Sequence, residues 1–389
     1  MKVTIVIGIL AASVSAGAQS STSIAPTPAP QATLKTDLVS PTDTKRTKLS
    51  VTTGLLGRSL EDRYVNSKYA GGTINLTGSH RIAAELEARM AVGFILSAGS
   101  YSNLYGSEGS APNAVYVDEA AVAYKPISSL SLEAGVILTQ FSTMPSNMES
   151  MGFPSLRQTF EMGNDDYKAQ VFATQAIPTS DTAAVQATQS GITTTLLMYG
   201  IGGTTNAQDL DGFTLSGSVG RFQFENLNSS AATDSQTLGN SVDGGGGPQA
   251  RFRYEFEGTE LGAKIAYRFR GGLQANVSGA FLRNERAPEG KNKGYLYSLG
   301  AALPMGTREI SASVGYFYNE EDTLPASYTS TGKGSNNRFG QVARISVENS
   351  KDAVSGFVQY TKANEIVNKP FTADRDIIVL GLEIGYDVL

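Results

Sequence analysis

The stretch from Arg81 to Leu96 constrains this chain most. Every even position is apolar: Ile82, Ala84, Leu86, Ala88, Met90, Val92, Phe94 and Leu96. The odd positions carry Glu85, Glu87 and Arg89. A helix would scatter those charges around its circumference, whereas a strand puts them all on one face. The run is longer than the usual globular strand of about five or six residues. It exceeds the roughly ten residues that a tilted strand needs to cross a bilayer.

The period of two returns along the chain. Leu130, Leu132, Ala134, Val136 and Leu138 alternate with Ser131, Glu133, Gly135 and Thr139. Phe252, Tyr254 and Phe256 alternate with Arg251, Arg253, Glu255 and Glu257, and Leu261 to Phe269 alternate with Lys264, Arg268 and Arg270. Further series run over Leu273–Phe281, Ile310–Tyr318 and Leu380–Val388. Short turn signals fall at Gly78–His80, Pro126–Ser129, Arg270–Gly272, Pro304–Thr307 and Asn349–Asp352. Longer polar stretches separate them, around Ser97–Asn113, Asn284–Lys293, Asn319–Asn337 and Ala363–Arg375. The pattern predicts an all-β fold, a transmembrane antiparallel β-barrel with short turns at one end and long loops at the other. About sixteen strands are expected, with fourteen to eighteen left open because Asn226–Gly247 is long where a turn is expected. Either Arg251–Arg270 is one long bulged strand, or a piece near Tyr167–Ile177 does not span.

Ahead of this pattern lie two other segments. Residues 1–18 carry Lys2, an apolar run from Val3 to Val14 and small residues Ala16-Gly17-Ala18, the form of a removable secretory signal. Residues 19–46 are rich in Ser, Thr, Ala and Pro and bury little, so a flexible periplasmic lead-in is expected before a barrel over 47–389. The chain has no cysteine and no tryptophan, and a formal net charge of −5. Lack of cysteine removes disulfides, thiolate metal sites and thiol catalysis. The mild acidity points to no nucleic-acid partner. Mean hydropathy of −0.15 is ordinary, as expected where alternation averages the lipid-facing residues away.

Chemistry-bearing motifs are sparse. The one histidine, His80, is expected in a tight turn, without the serine motif that a nucleophilic hydrolase needs. Gly200–Gly203 and Gly244–Gly247 do not open a helix after a strand, and Asp209, Asp211 and Gly212 lack the remaining spacing of a calcium loop. The acidic Asn319-Glu320-Glu321-Asp322 run reads as a solvated outer loop. No enzyme, metal or cofactor is expected.

The polar face of the strands is more informative. Arg251, Arg253, Lys264, Arg268 and Arg270 fall opposite apolar positions and are expected to form a basic lumen wall. Charge facing lipid costs about 2–4 kcal/mol near the midplane. Glu85 and Glu87 are expected to point inward from elsewhere. Glu149, Arg157, Glu161, Asp165 and Asp166 belong to the long Thr139–Asp166 segment, a candidate constriction loop whose acidic groups would face the basic wall and set a transverse field.

With its signal, alternating strands, long third-loop candidate and terminal strand Ile378–Leu389, the chain resembles the Gram-negative bacterial porin superfamily. It departs at its end, Tyr386-Asp387-Val388-Leu389, where most such proteins finish on phenylalanine. The resemblance implies an integral outer-membrane channel for passive diffusion of small hydrophilic solutes or ions. It implies contact with outer-membrane lipid and lipopolysaccharide, and assembly as a homo-oligomer, commonly a trimer. The alternative from the residues is a plugged structural or surface-interaction barrel, which in a higher oligomer would enclose lipid.

Overall fold

The computed structural model describes residues 46–63, 66–102, 108–110, 113–139, 151–164, 166–178, 193–206, 212–328, 336–370 and 372–388. The expected signal segment and nearly all of the lead-in lie outside them.

Sixteen long strands form the wall. The first eight are β1 (Thr47–Glu61), β2 (Asn66–Ala83), β3 (Leu86–Ser102), β5 (Ala114–Ile127), β6 (Leu130–Thr139), β7 (Met151–Gly163), β8 (Tyr167–Ala176) and β9 (Thr195–Asn206). A short β4 (Glu108–Ser110) pairs only with the upper end of β3. The second eight are β10 (Phe213–Glu225), β13 (Phe256–Arg268), β14 (Gln274–Asn284), β15 (Lys293–Met305), β16 (Arg308–Asn319), β17 (Arg338–Asn349), β18 (Val354–Glu365) and β19 (Arg375–Asp387). Every neighbouring pair is antiparallel, and β1 joins β19 from Ser50↔Asp387 to Glu61↔Asp376. That pairing closes the barrel and leaves no open edge, as backbone in hydrocarbon requires.

Both chain ends of the barrel lie at the end with tight connections. There, turns such as Ser128-Ser129 and Gly306-Thr307 join strands, and Gly306 adopts φ +67°, which a Cβ would strain. The opposite end carries the long connections, including 226–255, 285–292, 320–337 and 366–374.

Two expectations need correction. The alternating run Arg81–Leu96 is not one strand: Ala84-Glu85 turns the chain between β2 and β3, and Gly78–His80 lies inside β2. Paired residues share a face, so the tight turn closed by Ala83↔Leu86 would by itself reverse the parity; the bulge at Ile82, where pairing shifts from Arg81↔Glu87, reverses it back, and the period of two passes through unbroken. Nor is Arg251–Arg270 a single strand, since β13 begins at Phe256 and Tyr167–Ala176 does span.

The outer wall is apolar. Leu96, Leu261, Ile265, Val277, Leu299, Val314, Ile345 and Leu382 all stand exposed on it. Among the described residues no helix is long and apolar enough to cross a membrane.

Segment 226–255 is the exception to plain hairpin connectivity. It holds helix α1 (Ser229–Thr237) and a two-stranded ribbon of β11 (Val242–Asp243) and β12 (Arg251–Phe252). Asn228 caps α1 by accepting from Ala231 N at 2.7 Å. This strap folds against the inner wall. Leu227, Ala231 and Phe252 pack with inward residues Phe153, Leu196, Met198, Phe222, Phe224, Phe256 and Leu282, and with Leu324 and Tyr328 of the 320–337 connection.

Candidate pore lumen

The lower inner face, toward the tight turns, carries an acid–base ladder across four strands. Arg89 on β3 lies between Glu119 on β5, at 3.1 Å, and Glu133 on β6, at 2.7 Å. Arg157 on β7 closes on the other oxygen of Glu133 at 3.7 Å. A bulge in β5 makes this possible. Ala91 faces Glu119 while Val92 faces Val117, so Asp118 is the extra residue and the parity of β5 reverses there. Tyr116 above the bulge and Glu119 below it therefore both face inward. Tyr116 lies over Gly93, where a side chain would collide with its ring, and donates to Asn75 Oδ1 at 2.6 Å.

Other parts of the wall carry hydroxyls. Ser278 and Ser298 are 2.5 Å apart, Ser311 and Ser346 2.6 Å, and Ser50 and Thr77 2.5 Å. Lys264 and Arg268 lie on β13 on the same face as Phe256 and Glu260, with Arg268 beside Gln274 of β14. Arg344 on β17 stacks its guanidinium 4.1 Å above the ring of Phe357.

At the mouth, the acidic run 320–322 lies in a long outer connection as expected, but it is buried rather than solvated. Between them the three acids hold three other connections. Glu320 accepts from the backbone N–H of Asn292 at 2.6 Å and of Lys293 at 2.8 Å. Glu321 pairs with Lys291 and Lys369, both at 2.9 Å, and accepts from Ser241 Oγ at 2.7 Å. Asp322 accepts from the Ser241 backbone at 2.8 Å. Burial opposes ionisation of Glu321, yet hydrogen bonds from Lys369, Lys291 and Ser241 outweigh it and hold the carboxyl below its usual range. Burial pushes Asp322 up against the hydrogen bonds from Ser241 and Asn240. The three carboxylates thus tie the strap to the connections 285–292 and 366–374.

The structure distributes the sequence candidates unevenly. Glu87 is on β3 with Arg89, and Glu161 is on β7 with Arg157, near the turn end. Glu85 sits in the two-residue turn and Arg270 in the turn after β13, so neither is a strand residue. Arg251 and Arg253 are not on a spanning strand: they flank Phe252 on the strap's ribbon, where Arg253 pairs with Asp243 at 2.5 Å. Asp166 lies in the turn before β8, while Glu149 and Asp165 lie outside the described residues, as do Asp209 and Asp211. The Thr139–Asp166 segment is not a continuous loop, because its Met151–Gly163 part is spanning strand β7. The infolding element within the described residues is the 226–255 strap instead. His80 is within β2, its Nδ1 2.8 Å from Thr47 Oγ1. Among the described residues, no group of three or more His, Asp or Glu is placed to hold a metal.

Sequence reasoning missed Glu119 because the bulge inverts its parity, and it placed Arg157 on a loop rather than on the wall because β7 was read as part of that loop. The signal for the strap was present. In β10 the apolar parity switches after Val219, from odd positions Phe213, Leu215 and Val219 to even positions Phe222 and Phe224.

These features define a membrane-spanning β-barrel of porin-like fold with a polar, charged lower lumen. No protein-family model and no curated protein matches the chain. Among solved structures it is similar to Pseudomonas putida OprB, at 11% identity and TM-score 0.55, covering 88% of this chain and 93% of that one. It is also similar to OmpT, an outer membrane protein of Vibrio cholerae. The in-vitro folded form gives 9% identity, TM-score 0.51, and coverage of 89% and 99% of the two chains. A loop L8 deletion mutant gives 10%, 0.51, 88% and 100%.

Proposed function

We propose that the protein is an outer-membrane channel for passive diffusion of small hydrophilic solutes or ions. The observation that carries this reading is the Glu119–Arg89–Glu133–Arg157 ladder on the inner face, set behind an apolar outer wall. Charged groups on a spanning strand are favourable only where they meet water, so the ladder marks a wet interior. The tight-turn end faces the periplasm and the long connections face outward, following the usual asymmetry of bacterial barrels.

In this reading, Glu87, Glu161, Lys264 and Arg268 add to the field of the lumen. Arg251 and Arg253 act through the strap that narrows the mouth. The small solute, the surrounding lipid and an assembly of several copies are the partners; no catalytic step is invoked.

A planar-bilayer recording of refolded protein tests it. Stepwise single-channel conductance is expected, and folded protein that inserts without conducting would leave only a structural barrel. The packed strap at the mouth gives that second reading its one specific support.

A further inference from the structure

One band of the outer wall, at the loop end of β9 to β15, differs from the rest. Cross-strand register puts Tyr199, Arg221, Thr259, Arg283 and Lys293 in one outward row, through the pairs Tyr199↔Arg221, Arg221↔Thr259, Thr259↔Arg283 and Arg283↔Lys293. One rung below, toward the turns, the same strands present Ile201, Val219, Leu261, Phe281 and Tyr295, followed by Tyr318 on β16. Phe281 and Tyr295 are 5.4 Å apart and Tyr295 and Tyr318 5.7 Å, forming an aromatic belt. Two residues along a strand is about 7 Å, so the cations stand immediately above the belt.

These side chains share the outward parity of Leu261 and Phe281 and cannot serve a solute inside the lumen. Arg221 is held by Glu285 at 2.8 Å and Glu257 at 3.3 Å, and Lys293 by Glu289 at 3.1 Å. Arg283 is exposed, and the carboxylate it acts on is Glu285, which Arg221 already holds. Behind the row, Phe222, Phe256 and Leu282 pack into the strap's core, which gives the cations a firm backing.

Aromatic rings on a barrel's outer wall mark the membrane–water interface, and cations just above them meet headgroup phosphates. We propose that this row is a docking surface for a phosphorylated lipid headgroup of the outer leaflet, with Arg283 as its principal contact and Arg221 and Lys293 on either side. A guanidinium suits it, because it grips phosphate through two parallel hydrogen bonds. The inference rests on the membrane orientation proposed above.

The test uses full-length protein in nanodiscs of phosphatidylcholine, with lipid A added, and native mass spectrometry to follow retained lipid A. Relative to wild type, Arg283→Gln is expected to bind about fivefold more weakly, and Arg283→Gln with Lys293→Gln at least tenfold, at roughly one surface charge per step. Lys362→Gln, which removes an outward cation of β18 away from the row, is expected to change binding less than about twofold. Equal loss from Lys362→Gln would show a diffuse surface field and overturn the site. Full retention by the double variant, or displacement of lipid A by inorganic phosphate, would overturn it too. Protein that inserts into no nanodisc would remove the membrane reading and this surface together, whereas a non-conducting but lipid-binding barrel would remove only the channel.

Discussion

The lower lumen and the upper mouth are built from the same inward positions of the same strands, yet their chemistry is opposite. On β7, Arg157 near the turn end contrasts with Phe153 near the loop end, fully buried. On β10, Ser216 and Ser218 give way to Phe222 and Phe224, and on β13, Lys264 and Arg268 give way to Phe256. The inner face is polar where it meets the wet lumen and apolar where it meets the strap. Strand parity therefore says which face a residue occupies but not what that face touches. The mouth gains a packed, directional core. The lower lumen keeps its charges in close ion pairs whose side chains remain partly exposed.

Perturbing the two regions should give different readouts. The largest effect is expected from Phe256→Ala, which removes a fully buried ring from the mouth's core and costs about 3–5 kcal/mol of packing. Limited proteolysis of segment 226–255 should show it, with the barrel itself still resisting heat in detergent. Glu321→Gln comes next. It takes the negative charge from between Lys291 and Lys369 and should weaken the tie by about 1–3 kcal/mol.

The same carboxylate gives the mouth a pH dependence. Because its folded value is depressed, its contribution is fully present above the ordinary carboxylate value and is lost as pH falls below it. Asp322 acts in the opposite sense, since burial raises its value and acid favours its protonated folded form. Acid-induced protease sensitivity of the strap should therefore disappear in Glu321→Gln, which is already loosened at neutral pH. In the lower lumen, replacing Arg89 and Arg157 by glutamine leaves Glu119 and Glu133 uncompensated. The reversal potential in a salt gradient should move toward cation selectivity, with the strap still protected. The smallest effect is expected for Arg253→Gln, whose partner Asp243 is a solvent-exposed group on the ribbon. An unchanged reversal potential there would fit the placement of Arg253 off the spanning strands.

Much of the barrel was legible in the sequence because lipid selects one face of every strand. Leu261, Ile265 and Phe269 alternate against Lys264 and Arg268 without interruption, and both the strand and its faces followed from that alone. The hairpin at Ala84-Glu85 was not legible, since the bulge at Ile82 cancels the change of parity that the tight turn brings. Phe256 was read in phase with Phe252 and Tyr254, yet it faces inward with Glu257 outward, because the outer wall there has left the apolar belt. The Glu119–Arg89–Glu133–Arg157 ladder depended on a one-residue bulge and on cross-strand register, neither of which composition carries. Burial of Glu320–Asp322 was equally hidden: an acidic run looks solvated until the lysines and backbone amides that meet it are brought from other connections.

The contrast between a wet lower lumen and a packed mouth reduces to whether water and ions pass along the ladder. Single-channel recording in a salt gradient, comparing wild type with the Arg89→Gln/Arg157→Gln variant, addresses this directly. Discrete conductance with a reversal potential displaced toward cations in the variant is the expected result. Identical reversal potentials in two conducting proteins, or no conductance from inserted wild type, would contradict a lumen lined by that ladder.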